Sequence, residues 1–248
     1  MKLRYITCSG ANEETSHEKL INLAKLSDLI EIGIVANSSI MRKGTPQNEW
    51  FEQLLSLNEI KNINLALHIN SDWCTDFCNG SIAPELKKWL KIYTSNKQPV
   101  IKRWQFNIGN GMRLQGVKDL ESIIKDNSDK EFIFSFNKNP IVVNYMTKLY
   151  KTGVPFSLLY DSSYGTGRNP KYWEEPYFAG RTHGYAGGLC GENIYQNLDK
   201  ISSVVPYLYE TWVDAEYKLK TPETNKFDVS LAKNYVNNAI KWQQLHTR

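Results

Sequence analysis

Eight short β-like runs, separated by stretches of helix length, constrain this chain more than any other feature. They are RYITC (4–8), LIEIGIVA (29–36), INLALHI (63–69), RWQFNIG (103–109), EFIFSF (131–136), FSLLYD (156–161), THGYAG (182–187) and TWVDAEY (211–217). Among the intervening stretches, 15–27 and 229–245 carry clear helical spacing, and Thr15 with Glu18 predicts a capping box at the start of the first. Segments 82–93, 115–126 and 140–151 also read as helices, with 46–57, 170–178 and 191–201 less regular. Strands joined through helices pair in parallel, because each return must cross over. Eight such units close most naturally into a single-domain (β/α)8 TIM barrel over residues 1–248. An open doubly wound sheet is the alternative. It requires a G-x-G-x-x-G turn after the first strand, and CSGANEE at that place departs from it.

Composition excludes several functional classes. Apolar residues make up 41% of the 248 and charged residues 23%, enough to build a sizeable core. The net charge of +4 is spread along the chain with acids among the cations, so no nucleic-acid-binding stripe is expected. No apolar run reaches the length of a membrane span, and the first residues do not read as a secretion signal. The cysteines, Cys8, Cys74, Cys78 and Cys190, are accordingly expected as free thiols in the cytoplasm. Cys74 and Cys78 near His68 lack a second ligand pair, so no metal is expected.

A barrel of this kind places its active site where strands end and loops begin. The expected strand ends offer Cys8, then Asn37 and Arg42, then His68, Asn70 and Asp72. Gln105, Asn107 and Asn137 follow. Asp161, Gly187, Gly188, Asp214, Glu216 and Lys218 complete the set.

Toward the C-terminus the strand ends acquire a recognisable order. LLYDSSYGTGR (158–168) is an apolar strand ending in Asp161, then a loop with Gly165, Gly167 and Arg168. YAGGLCGENI carries Gly187 and Gly188, and VDAEYK with TNKFD carries Asp214, Lys226 and Asp228. Earlier, YITCSG places Cys8 at a strand end, Gly33-Ile34-Val35 leads to Arg42, and WQFNIG contains Gln105. In these motifs and their order the chain resembles phosphoribosylanthranilate isomerase, a (β/α)8 enzyme of tryptophan biosynthesis. The likeness is fullest over about the last hundred residues and runs motif by motif before that.

The resemblance implies an Amadori rearrangement, in which an aminoaldose phosphate becomes an aminoketose phosphate without a cofactor. Carried over by position, Asp161 is the general acid and Cys8 the general base. Arg42 is the partner of a substrate carboxylate. Gln105, Gly165, Gly167, Gly187, Gly188, Asp214 and Lys218 are substrate-binding, with Gly187 and Gly188 beside phosphate. The implied partner is a small, sugar-derived, anionic molecule. Such chemistry needs an acid that keeps its proton, by burial of Asp161, and a thiol that loses its own. The chain departs from the family after Val213-Asp214, where Ala215-Glu216-Tyr217-Lys218 replaces a small Ser-Ser-Gly segment, and a carboxylate there repels phosphate. Two further readings stay open. One is a barrel that binds a small molecule without turnover. The other is a different enzyme using Asp72, Asp161, Asp214 or Glu216 as acid–base carboxylates.

Overall fold

The sequence runs read as strands are strands, and they close on one another. The computed structural model describes residues 1–109, 111–161, 163 and 166–246. Its strands are β1 (Lys2–Ser9), β2 (Ile30–Ala36), β3 (Asn64–Ile69), β4 (Arg103–Phe106), β5 (Glu131–Phe136), β6 (Ser157–Asp161), β7 (His183–Ala186) and β8 (Glu210–Ala215). All pair in parallel with their sequence neighbours, and β8 pairs back to β1, giving a closed barrel. The helices are α1 (His17–Ala24), α2 (Ser38–Met41), α3 (Pro46–Ser56), α4 (Ser71–Cys78), α5 (Pro84–Trp89), α6 (Val117–Asp126), α7 (Pro140–Lys151), α8 (Ile194–Val204) and α9 (Val229–His246). None of the described helices is long and apolar enough to cross a membrane.

The strands are buried on both faces, which explains their nearly continuous apolar runs. Outward positions feed one core beneath the helices. Ile32, Leu67, Trp104, Phe106, Phe132 and Phe134 are buried there, and Phe77 of α4 stacks on Phe106 at 4.2 Å between ring centroids. Each such side chain contributes about 1.5–3 kcal/mol when fully buried.

Local signals deviate from expectation in three places. The N-cap of α1 is Ser16, whose side chain accepts from the Lys19 N–H, so the expected Thr15–Glu18 box lies one residue off. Segment 170–178 is not helical. Pro176 interrupts it, and the residue before a proline is biased away from the helical region. The described residues between β6 and β7 form no helix. The outer layer there is built by single side chains: buried Trp173 donates from Nε1 to Asn197 Oδ1 at 3.2 Å and meets Tyr185 edge-on at 5.7 Å. Short α4, absent from the sequence reading, carries apolar Trp73, Cys74, Phe77 and Cys78 on one face.

Inside the barrel, the lower layers hold charge. Arg103 Nη1 meets Glu31 Oε1 at 2.6 Å, and its Nε meets Glu131 Oε2 at 3.1 Å. The guanidinium lies over the rings of Trp212 (4.3 Å) and Tyr5 (4.6 Å). Thr7 donates to Glu31 at 2.7 Å and Ser157 to Glu131 at 2.6 Å. Burial pushes the Glu31 carboxyl up, against Arg103 and the Thr7 hydrogen bond. Burial acts on Glu131 too, but Arg103, Arg4 and Ser157 more than offset it and hold that carboxyl below its usual value. Gly184 is where the Trp212 indole lies against bare backbone: a Cβ there would come within 2.0 Å of the ring.

Candidate functional site

Above the charged layer, the C-terminal ends of the strands enclose a cavity of about 360 Å³. Strand alternation decides which residues reach it. On β1, Thr7 and Ser9 face the barrel axis, since Thr7 binds Glu31 and Ser9 Oγ donates to Asp214 Oδ1 at 2.8 Å. Cys8, between them, therefore faces the helices. It is fully buried in the outer core, where burial first, then the charges of Asp214 and Glu31, push its thiol far up. This corrects the expectation for Cys8: its sulfur does not line the cavity, and the thiolate a general base requires is disfavoured there. The inward contribution of β1 is Ser9.

Asp214, expected as a binding residue, is the most perturbed carboxyl of the cavity. Burial raises it to about 7, the charges of Glu216 and Asp161 add to that, and hydrogen bonds from Ser9 and Gln105 work against it. Gln105 Nε2 lies 3.3 Å from Asp214 Oδ2, 3.3 Å from His68 Nδ1 and 3.2 Å from Asn107 Oδ1. Gln105 thus holds protein groups as well as lining the cavity. His68 is buried and pushed down to about 4, chiefly by desolvation, so its ring is neutral near pH 7. Between about pH 4 and 7 its 3.9 Å approach to Asp214 is a contact of two uncharged groups. Its Nδ1 faces Gln105, and its Nε2 is buried with no hydrogen-bond partner among the described residues.

Asp161 reaches the cavity from the end of β6. Its Oδ1 accepts from the Ser163 N–H at 2.9 Å and from Ser163 Oγ at 2.7 Å, an Asx-type turn that aims the carboxyl. Gly187 and Gly188 line the same wall with positive φ values of 126° and 63°. The close approach at Gly188 is to the chain's own backbone, since a Cβ there would lie 2.6 Å from Asn169 N. Gly167 also lines the cavity, with the Tyr217 ring packed so tightly on it that a Cβ would come within 2.4 Å. Gly165 lies outside the described residues.

The segment after β8 turns across the mouth. Glu216 lines the cavity and accepts from Lys220 Nζ at 2.8 Å. That pair divides the cavity from a neighbour of about 390 Å³ above Gly10 and Val35. The cation facing Glu216 is thus Lys220, while Lys218 is exposed at the rim of the first cavity. Arg42 is exposed at the end of α2 and lines neither cavity, so the expected clamp on a substrate carboxylate is not assembled. Asp72 is also exposed and takes the Ser38 N–H at 3.4 Å.

Most of the strand-end inventory therefore converges, while Cys8, Arg42, Asp72 and Asn37 do not; Asn37 caps α2, its Oδ1 accepting from the Ser39 and Ile40 N–H groups. Ser9 and Ser163, which aim the two aspartates, were missed. The signal for Ser9 was available in the period of two along β1, because Thr7 and Ser9 share a face that Cys8 cannot share.

The closed parallel barrel with its site at the strand C-termini defines the chain as a TIM barrel. Comparison with known proteins agrees. 3-Hexulose-6-phosphate synthase from Salmonella typhimurium superposes with a TM-score of 0.54 at 9% identity, over 98% of this chain and 100% of that one. Phosphoribosylanthranilate isomerase from Thermotoga maritima, in monomers made from the dimeric enzyme, superposes with a TM-score of 0.51 at 12% identity, over 96% of this chain and 98% of that one. At such identities the likeness speaks for the fold alone. No protein-family model and no curated sequence matches the chain.

Proposed function

We propose that the cavity is the active site of an acid–base isomerase. Its substrate is a sugar-derived aldose or N-glycosylamine, and its reaction is an Amadori-type or aldose–ketose rearrangement. The observation that carries this reading is the pair of inward carboxyls, Asp161 and Asp214, on one cavity wall, of which Asp214 retains its proton up to about pH 7. A protonated carboxyl beside a second carboxyl is the arrangement such chemistry needs. Asp214 protonates the ring oxygen as the ring opens. Asp161, aimed by Ser163, takes the proton from the carbon next to the resulting carbonyl or Schiff base, and the double bond moves one position.

Amide and hydroxyl groups from β3–β5 suit a polyhydroxylated ligand. Phosphate is poorly served inside: Asp161, Asp214 and Glu216 line the cavity, and its lysine, Lys218, stands at the rim. An anionic group of the substrate therefore sits at the mouth, near Lys218.

Exchange of the C2 proton into D2O, followed by NMR over a panel of aldoses, their phosphates and N-glycosylamines, tests the reading. For the substrate that turns over, Asp161→Asn and Asp214→Asn are each expected to lose about 10²–10⁴-fold in kcat. Cys8→Ala should stay within a few-fold. Activity should fall as pH rises past about 7, where Asp214 ionises. A Cys8→Ala loss as large as the aspartate losses would overturn the assignment. Saturable binding with no exchange would favour the binding-protein reading.

A further inference from the structure

One line of hydrogen bonds leaves Asp214 and crosses the cavity wall. The Gln105 amide nitrogen faces Asp214 Oδ2 and His68 Nδ1, at 3.3 Å each. The same Gln105 Nε2 reaches Asn107 Oδ1 at 3.2 Å. Asn107, with its oxygen committed, turns its nitrogen to Asn70 Oδ1 at 2.7 Å. Asn70 in turn has its oxygen committed and its Nδ2 pointing onward. Among the described residues no hydrogen bond takes up that nitrogen, and Asn70 lines the cavity. In this line the oxygen of Asn107 and then of Asn70 accepts from the amide before it, and the two hydrogens of Gln105 Nε2 are shared among Asp214, His68 and Asn107.

Independently, Asn70 gives up its expected local role. It stands at the N-cap of α4, a position where asparagine normally accepts from the first helical N–H groups, and its side chain makes no such bond. The next residue, Ser71, has φ of +56°, a conformation that costs a non-glycine residue free energy. Both features fit a side chain held for the cavity in place of its own helix.

We propose that Gln105, Asn107 and Asn70 form a polarity relay anchored at Asp214, and that the free Nδ2 of Asn70 donates to an oxygen of the ligand, a carbonyl or hydroxyl. The binding half rests on the proposed sugar-derived substrate; the relay half does not. Asn70 acts on the ligand directly, whereas Gln105 and Asn107 are positioning residues. Changes in the hydrogen-bonding state of Asp214 reach Asn70 through the chain, because each bond polarises the next.

Side-chain amide NMR of the ¹⁵N-labelled protein, with Asn70 assigned by its loss in Asn70→Ala, tests both halves. Without ligand, the Asn70 Nδ2 resonance is expected to titrate with the Asp214 midpoint. Gln105→Met, of similar shape but without the amide, should abolish that titration while leaving Asp214 titrating and the thermal transition cooperative. A titration unchanged in Gln105→Met, or none in the wild type while Asp214 titrates, overturns the relay. If Gln105→Met fails to fold, Asn107→Ala, which breaks the line one step further out, decides by the same readout. D-Ribose serves as the oxygen-bearing probe. It should shift the Asn70 amide and bind at least tenfold more weakly to Asn70→Ala. Shifts of Gln105 without Asn70 overturn the donor role alone. No shift of any cavity amide overturns the binding half together with the sugar reading, and the ligand-free titration still decides the relay.

Discussion

Asp214 and His68 are displaced in opposite directions by the same burial. Asp214 rises from 3.8 to about 7 and His68 falls from 6.5 to about 4. Between pH 4 and 6.5 the unfolded chain holds one proton on this pair, on the histidine, and the folded chain also holds one, on the aspartate. Proton uptake on folding from the pair is then near zero, and its contribution to stability is flat with pH. Removing one partner exposes the other. In Asp214→Asn only His68 remains; its lowered value means the unfolded state binds the proton, so stability should drop as pH falls from about 6.5 toward 4. In His68→Gln only Asp214 remains; its raised value means the folded state binds the proton, so stability should drop as pH rises from about 4 to 7. Each slope approaches one proton, about 1.4 kcal/mol per pH unit. Urea unfolding across this range measures both, and two slopes of the same sign would refute the assignment.

Among the elements, the strands carry more chemistry inward than the helices carry outward. Arg103 joins β2, β4 and β5 through Glu31 and Glu131. Arg103→Leu leaves the buried Glu31 carboxyl facing an apolar side chain, while Glu131 keeps Arg4, and is expected to cost about 3–5 kcal/mol in chemical denaturation. Neutralising the stranded carboxyl by adding Glu31→Gln should recover part of that loss. The connection after β6, without a helix among its described residues, depends on single anchors instead. Trp173→Ala removes the buried ring that covers Tyr185 and is expected to cost about 3–5 kcal/mol, read in the same way. The charged layer could have been suspected from Glu31 within LIEIGIVA and Arg103 opening RWQF, since isolated charges in apolar strands must find partners. Which charges pair depends on the stagger of the closed barrel, which no single strand contains.

For the whole molecule, closure of the barrel separates an inner face from an outer one, and reactivity follows that division. Cys8, Cys74 and Cys78 are buried and only Cys190 is partly accessible. A thiol reagent should therefore modify Cys190 alone in the native protein, and slowly, because burial raises that thiol too; three more thiols should react after unfolding. Fast native modification of Cys8 would contradict its outward, buried placement. By itself, the amino-acid sequence determined the alternation of strands and helices, the barrel they form, and the polar strand ends from which a site could be drawn, because periodicity and turn chemistry act locally. It also placed Asp161 and Asp214 at strand ends. Only the tertiary structure decided that Ser9 and not Cys8 faces the axis, that Glu216 pairs with Lys220, and that Asp214 is the carboxyl held protonated. Those outcomes depend on which side chains from distant strands share one desolvated space, and that is set when the eighth strand closes on the first.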